Sequence, residues 1–121
     1  MDSHRKLLAW QACQDLIVAI YRATDSWPTS ERYGLTSQIR RAAVSAAANI
    51  AEGYGRWGVR EAAHGLSISS GSLAEVDSLI ATAESLGYLT AQAAEALSRL
   101  RIRASQLVSA LHRKMQRQTT R

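Results

Sequence analysis

YGLTSQIRRAAVSAAANIAEGYGR, residues Tyr33–Arg56, is the stretch that decides the fold class of this chain. It consists largely of good helix formers and small residues, contains no proline, and ends among glycines. Glycine tolerates the left-handed conformation that follows a helix, so the glycines mark an end near residue 54. The apolar residues recur at the spacing of one helix face: Leu35, Ile39, Ala42, Ala43, Ala46 and Ile50. The segment therefore predicts an α-helix over about residues 29–54.

Three further segments show the same helical periodicity. The first ends at Trp27-Pro28, because proline disfavours a helical conformation in the residue before it. Gly87 is a plausible C-terminal cap for the third, and Thr90 is a good N-cap for the fourth. The predicted helices cover about residues 3–26, 29–54, 59–86 and 91–118. Short connections between long helices predict an all-α fold, an antiparallel up-down-up-down four-helix bundle, built by residues 1–121 as one domain.

Composition limits the cellular setting. The chain has 121 residues, a formal net charge of +5 and one cysteine, Cys13, which cannot form an internal disulfide. No window approaches the roughly 18 consecutive apolar residues of a membrane span, and the N-terminus turns polar too early for a signal peptide. We therefore expect a cytoplasmic protein that makes no membrane contact.

Positive charge is concentrated towards the C-terminus, where no acid follows Glu95. A basic helical face suits phosphate, because neutralising phosphates releases counterions. The alternative is a solvated face with a basic tail. Trp57 stands between Arg56 and Arg60, where it could stack on a base or anchor a helix end. The predicted nucleic-acid-binding residues are Arg40, Arg41, Arg56, Arg60, Arg99, Arg101, Arg103, Arg113, Lys114 and Arg117.

A polar stripe runs beside the apolar face of the second helix, at three- and four-residue spacing. It allows two interpretations: a surface for a ligand or nucleic acid, or a hydrogen-bonded seam between helices or subunits, in which Arg41 pairs with a carboxylate. We favour the seam, because buried polar groups need partners. The third helix supplies matching polar residues. The predicted seam residues are Gln38, Ser45, Asn49, Glu52, Ser72 and Glu75.

Three apparent motifs do not predict chemistry. Gly53-x-Gly55-x-x-Gly58 follows a helix, whereas dinucleotide binding needs a preceding strand within a βαβ unit. Glu61-x-x-His64 is half of a di-iron site, and the chain has no second copy. Cys13 lies among apolar residues at helical spacing and is predicted to be an inert core thiol, not the nucleophile of a pair with His4 or His112. We expect no catalytic residue, metal site or cofactor.

The chain resembles a bacterial family of small four-helix-bundle proteins, some of which are encoded within intervening sequences of 23S ribosomal RNA genes; the family is also labelled "S23 ribosomal protein". Ala63 and Gly65 stand where relatives favour aromatic residues, which suggests looser packing of the third helix. The motifs that carry the resemblance are Leu8–Trp10 with Tyr21, Trp27-Pro28-x-x-Glu31, Gly34-Leu35-x-x-Gln38-x-Arg40-Arg41, Asn49–Gly53, Gly71–Glu75 and Leu86–Leu89.

The resemblance implies a function only in outline. The family's bundles are similar to accessory proteins of diversity-generating retroelements, which form rings of five with a basic surface that meets nucleic acid and a reverse transcriptase. It therefore implies a homopentamer that binds RNA or DNA without catalysis. The alternative is a protein–protein adaptor or scaffold whose basic face meets an acidic partner. Salt dependence of nucleic-acid binding distinguishes the two hypotheses.

Overall fold

The computed structural model describes residues 3–119, and these residues form helices without any β-strand. Two short 3₁₀ turns, His4–Lys6 and Thr29–Glu31, precede the first two α-helices. None of the helices in this part of the chain has the length and apolar character needed to span a bilayer. The prediction of an all-α protein is confirmed. The α-helices are α1 (Leu8–Thr24), α2 (Leu35–Gly55), α3 (Val59–Ser85) and α4 (Ala91–Thr119).

The four helices form a closed square of neighbours. Helix α1 packs against α2 and α4, and α3 packs against the same two helices, whereas the backbones of the diagonal pairs α1–α3 and α2–α4 stay apart within residues 3–119. With short connections, this arrangement is the predicted up-down-up-down bundle. The α1–α2 and α3–α4 connections, residues 25–34 and 86–90, share one end, called here the loop end. The α2–α3 connection, residues 56–58, lies at the other, called here the terminal end, together with the start of α1 and the end of α4.

Two helices begin later than predicted, for local reasons. Leu7 is extended between the 3₁₀ turn and α1, so α1 starts at Leu8 and not near residue 3. Helix α2 starts at Leu35, six residues after its predicted start, because a separate 3₁₀ turn follows Pro28. The Leu35 N–H donates to Oε1 of Glu31 at 3.1 Å. A side-chain oxygen that caps the first turn in this way satisfies a donor that the helix itself leaves free.

The third helix ends as the sequence predicts. Gly87 has φ of 79°, and the N–H of Tyr88 donates to the Ala83 carbonyl at 2.9 Å, which closes the last turn. The Thr90 hydroxyl oxygen then accepts from the Ala93 N–H at 3.0 Å and caps α4. A glycine in the left-handed region and a threonine N-cap are efficient stop and start signals. They fix the tight reversal at the loop end.

The closest helix packing is between α2 and α3. A Cβ added to Gly53 would lie 2.8 Å from the Glu61 carbonyl oxygen, and one added to Gly65 would collide with the Asn49 carbonyl oxygen. Both glycines are buried. The looser packing expected at Gly65 is therefore wrong. Without an aromatic ring there, the two backbones come together and fill the space themselves.

Candidate nucleic-acid interface

Arg40 stabilises the fold through contacts within one chain. Its Nε donates to Thr24 Oγ1 at 2.8 Å, and its guanidinium lies 4.4 Å from the Tyr21 ring centroid. Nη2 reaches the Tyr21 carbonyl and Asp25 Oδ1, both at 3.4 Å. A cation at a helix C-terminus satisfies carbonyls that the last turn leaves free. Arg40 therefore ties α2 to the end of α1, and most of its donors are committed there.

Arg101 is also held within the bundle. Its side chain is 19% exposed, and Nη2 lies 3.6 Å from Oδ1 of Asp77 on α3. Nη1 donates to Ser105 Oγ at 3.3 Å, whereas the buried Nε has no hydrogen-bond partner among residues 3–119. A guanidinium in this position links α4 to α3. It is a poor candidate for a mobile phosphate contact.

Two of the predicted binding residues each form an exposed ion pair with a glutamate one turn earlier in the same helix. Arg56 contacts Glu52 at 3.0 Å, and Arg99 contacts Glu95 at 2.8 Å. Exposed pairs of this kind contribute only about 0.3–0.5 kcal/mol. A phosphate can therefore displace either carboxylate at little energetic cost.

The remaining predicted cations lie in solvent. Five of them form no hydrogen bond or ion pair with the described residues. Three of the five belong to α4, where Arg99, Arg103, Arg113 and Arg117 share the face opposite the buried one. At 1.5 Å per residue, this face carries arginines over about 27 Å. The five free cations are Arg41, Arg60, Arg103, Arg113 and Lys114.

Most of these exposed cations gather at the terminal end. Arg56 and Arg60 flank the α2–α3 connection, and Trp57 between them is 97% exposed. Lys114 lines a groove between α1 and α4 together with Lys6. A flat, fully exposed indole between arginines is suited to stacking on a base. The topology thus unites residues that are about 50 positions apart in the sequence.

The polar seam forms only at its centre. Ser45 Oγ and Ser72 Oγ lie 2.9 Å apart, and Asn49 Nδ2 donates to the Ser45 carbonyl and hydroxyl at 2.9 and 3.0 Å. These three residues join α2 to α3. The other three predicted members, Gln38, Glu52 and Glu75, are not part of this network. The suggested ion pair of Arg41 with a carboxylate does not form among residues 3–119.

The loop end contains a second polar network that the sequence did not reveal. Glu31, which caps α2, accepts through Oε2 from the Tyr88 hydroxyl at 2.9 Å. The hydrogen bond to this carboxylate raises the pKa of the Tyr88 phenol. The Tyr88 ring also packs against Trp27, with centroids 5.7 Å apart. Because residues 31 and 88 belong to different connections, only the folded topology brings them together.

The single cysteine is enclosed in the core. Cys13 is fully buried, and burial raises the pKa of its thiol to about 11, with the nearby Ser69 hydroxyl lowering it only in part. The nucleophile of a cysteine enzyme is the thiolate, which such a pKa suppresses. Within residues 3–119, no group of three histidine, cysteine or acidic residues is placed to hold a metal ion.

Comparison with known proteins agrees with this bundle. The sequence profile of the 23S rRNA-intervening sequence proteins matches residues 5–110. The chain belongs to this family. A solved structure of a protein of unknown function from the S23 ribosomal protein family of Bacteroides thetaiotaomicron superposes with a TM-score of 0.80. The two share 16% identity over 88% of this chain and 96% of the other, a likeness that shows the fold. No curated protein matches this chain.

Proposed function

We propose that this family member is a non-catalytic, cytoplasmic protein that binds RNA through the outer face of α4 and the terminal end. One observation carries the proposal: arginines and a lysine on α4 are exposed and unpaired while acids are missing from α4 after Glu95. Such a face attracts phosphate along its whole length. The enclosed Cys13 supports the absence of nucleophilic catalysis.

The structure divides the ten predicted binding residues by availability. Arg40 and Arg101 link helices within the bundle. Arg56 and Arg99 would have to break an exposed ion pair before they could bind phosphate. The unpaired cations can contact phosphate without breaking any interaction within the described chain. We therefore expect Arg103 and Arg113 to contribute more to RNA binding than Arg40 or Arg101 does.

The test is a fluorescence-anisotropy titration with structured RNA and duplex DNA that carry 5′-hydroxyl ends. Affinity is measured at about 50 and about 200 mM salt, a range over which several phosphate contacts change binding by orders of magnitude. The double variant Arg103→Gln/Arg113→Gln should bind more weakly. The slope of log K against log salt should decrease by about 0.7–0.9 for each phosphate that the variant no longer neutralises.

The matched control is Arg22→Glu, which changes the net charge by the same two units at one exposed residue outside the proposed face. Its affinity should stay near that of the unmodified protein. If the control weakens binding as much as Arg103→Gln/Arg113→Gln does, the effect depends on net charge and not on this face. No binding at the lower salt would reject the nucleic-acid function.

The proposal includes a homo-oligomeric ring, for which family resemblance suggests five copies. Val44 on α2 and Ile68 on α3 are each 41% exposed, and Gly71 has open space around it, so these helices offer apolar and small residues outside the bundle core. Light scattering should show an oligomer at micromolar concentration. Val44→Glu should dissociate it, whereas Val18→Glu on α1, where Val18 is 45% exposed, should not. A stable monomer would reject the ring.

A protein adaptor is the second candidate, because one groove suits a protein partner. Leu7, Leu8, Leu107 and Leu111 line a cleft of about 330 Å³ between α1 and α4, with Lys6 and Lys114 also in its lining. An acidic, amphipathic segment would match its apolar floor and basic rim. Binding that depends on Leu8 and persists without RNA would favour this function over the first.

A further inference from the structure

A cavity of about 280 Å³ opens at the loop end, away from the basic terminal end. Its walls come from the end of α1, the α1–α2 connection and the start of α2. The connection supplies Arg32, an exposed residue that makes no hydrogen bond or ion pair through its side chain with the described chain. Helix α2 supplies Arg40, whose Nη1 donates to no described residue. The lining residues are Thr24, Asp25, Trp27, Pro28, Thr29, Arg32, Thr36 and Arg40.

The start of α2 adds backbone donors to this cavity. The Leu35 N–H is capped by Glu31, but the N–H groups of Thr36 and Ser37 donate to no described acceptor. Thr36 is buried and lines the cavity. Free N–H groups in the first turn, together with the helix dipole, favour an anion at this position.

Trp27 adds an unpartnered donor to the wall of the cavity, and its Nε1 is closed to solvent in the present side-chain position. Its side chain is 7% exposed and lines the cavity, and its Nε1–H has no hydrogen-bond partner in residues 3–119. A buried donor without an acceptor costs roughly 1–3 kcal/mol. Polar atoms of this kind are normally satisfied in folded proteins. Because Nε1 is enclosed, the indole must turn towards the cavity before a bound oxygen can accept from it.

The charges select the class of anion. Arg32 and Arg40 contribute two positive charges, and Asp25 removes one. The α2 N-terminus adds about half a charge and the Glu31 carboxylate that caps it removes one, so the cavity carries about +0.5, or about +1.5 once Asp25 has turned away. A carboxylate would neutralise only part of this, whereas a phosphate monoester carries about −1.5 to −2 near neutral pH. Asp25 is 82% exposed and can turn away from Arg40 when an anion enters.

We propose that this loop-end cavity binds a phosphate monoester. The Arg32 guanidinium and the free Nη1 of Arg40 would contact the phosphate oxygens, a geometry for which the planar arginine fork is suited. The Thr36 N–H would contact it from the start of α2. The volume is near the lower limit of small-molecule clefts, which suits a phosphate with a small attached group. This site is independent of the RNA-binding face, and either can fail without the other.

The test is an NMR titration of the whole chain with inorganic phosphate and with adenosine 5′-monophosphate. The indole ¹H–¹⁵N signal of Trp27 is assigned by its loss in Trp27→Phe. We expect it to shift on binding, because the indole lines the cavity and its unpartnered N–H can turn to a ligand oxygen. Arg32→Gln should weaken binding about tenfold or more, because it removes charge-assisted hydrogen bonds.

The control is Arg41→Gln, which removes the same charge from the same region of the chain but lies outside the cavity lining. It should leave phosphate affinity within about twofold, since an exposed charge outside the lining is screened by solvent and salt. Thermal unfolding followed by circular dichroism confirms that each variant is folded.

Two results would overturn the proposal. One is the absence of any Trp27 shift at millimolar phosphate, and the other is an equal loss of affinity in Arg32→Gln and Arg41→Gln. If inorganic phosphate and adenosine 5′-monophosphate both bind through Arg32, the next comparison is between RNA oligonucleotides with 5′-phosphate and with 5′-hydroxyl ends. It shows whether the phosphate monoester comes from a nucleic-acid end or from a small molecule. Preference for the 5′-phosphate would assign the site to nucleic-acid ends, and binding of only the free ligands would assign it to small phosphorylated compounds.

Discussion

The two ends of this bundle use the same residue types for different purposes. At the loop end, Arg40 and Glu31 are committed to hydrogen bonds that join α1, α2 and the α3–α4 connection. At the terminal end, Arg113 and Lys114 make no hydrogen bond or ion pair through their side chains with the described chain. There the helices are held instead by close backbone packing at Gly53 and Gly65. Charged side chains stabilise the fold at the loop end, and charged side chains at the terminal end are available to bind a partner.

The difference shows that a basic sequence does not by itself define a basic binding face. Arg40 and Arg113 have the same side chain and both fall on predicted helices. The first meets a helix end with free carbonyls and an exposed carboxylate, whereas the second points into solvent. Only the packing of neighbouring helices decides which arginine is left with its charge unpaired.

The largest effect should come from the close packing near the terminal end. Gly65→Ala places a Cβ against the Asn49 carbonyl oxygen, and backbone atoms cannot rotate away. We expect a loss of about 3 kcal/mol in unfolding free energy, the upper part of the range for overpacking. Urea unfolding measures it. Gly71→Ala is the matched control in the same helix, where open space should allow a gain of about 0.5–1 kcal/mol. Equal effects would contradict the close packing.

At the loop end, Glu31 should have the next largest effect. Glu31→Ala removes the acceptor for both the Leu35 N–H and the Tyr88 hydroxyl. We expect a loss of about 1–2 kcal/mol, as for a lost helix cap with a charged acceptor. Glu52→Ala is the control, because Glu52 makes only an exposed pair with Arg56. A loss no larger than that of the control would show that the loop end is not held by this network.

Two tyrosines compare the ends directly. Tyr88 at the loop end donates its hydroxyl to Glu31, whereas the buried Tyr54 hydroxyl near the terminal end has no hydrogen-bond partner in residues 3–119. Tyr88→Phe should therefore destabilise the protein, by less than Glu31→Ala does. Tyr54→Phe should be neutral or stabilising, since it removes an unsatisfied polar group. Thermal unfolding of both variants tests this. If Tyr54→Phe destabilised the protein more than Tyr88→Phe does, the proposed difference between the two ends would be contradicted.

Alkaline pH should weaken the bundle through groups whose folded-state pKa is raised. The pKa of Tyr88 is raised by its hydrogen bond to Glu31, that of Tyr54 by burial, and that of Cys13 by burial from 9.0 to about 11. Each protonated group stabilises the fold below its unfolded pKa, and this contribution is lost as pH rises through the folded value. We expect the unfolding free energy to fall above about pH 9. Cys13→Ala should reduce that fall between about pH 9 and 11, and an unchanged slope would contradict it.

The sequence predicted the helical architecture because periodicity, Gly87 and Thr90 act locally. It also predicted a polar seam of six residues, of which Ser45, Asn49 and Ser72 are linked by hydrogen bonds in the fold. It could not find the Glu31–Tyr88 hydrogen bond or the cavity beside Arg32, which depend on connections that meet only after folding. Nor could it separate the committed arginines from the free ones, because their partners lie on other helices.

The smallest effect on stability should come from the free cations of the terminal end. Arg113→Gln and Lys114→Gln break no interaction within the described chain, so unfolding free energies should change by less than about 0.5 kcal/mol. Arg101→Gln on the same helix is the contrast, because it removes the link to Asp77 and should destabilise more. If the terminal cations are instead found to stabilise the monomer strongly, they are structural, and the proposed binding face loses its basis. If they are neutral for folding while RNA affinity falls, their charge is reserved for a partner outside the bundle.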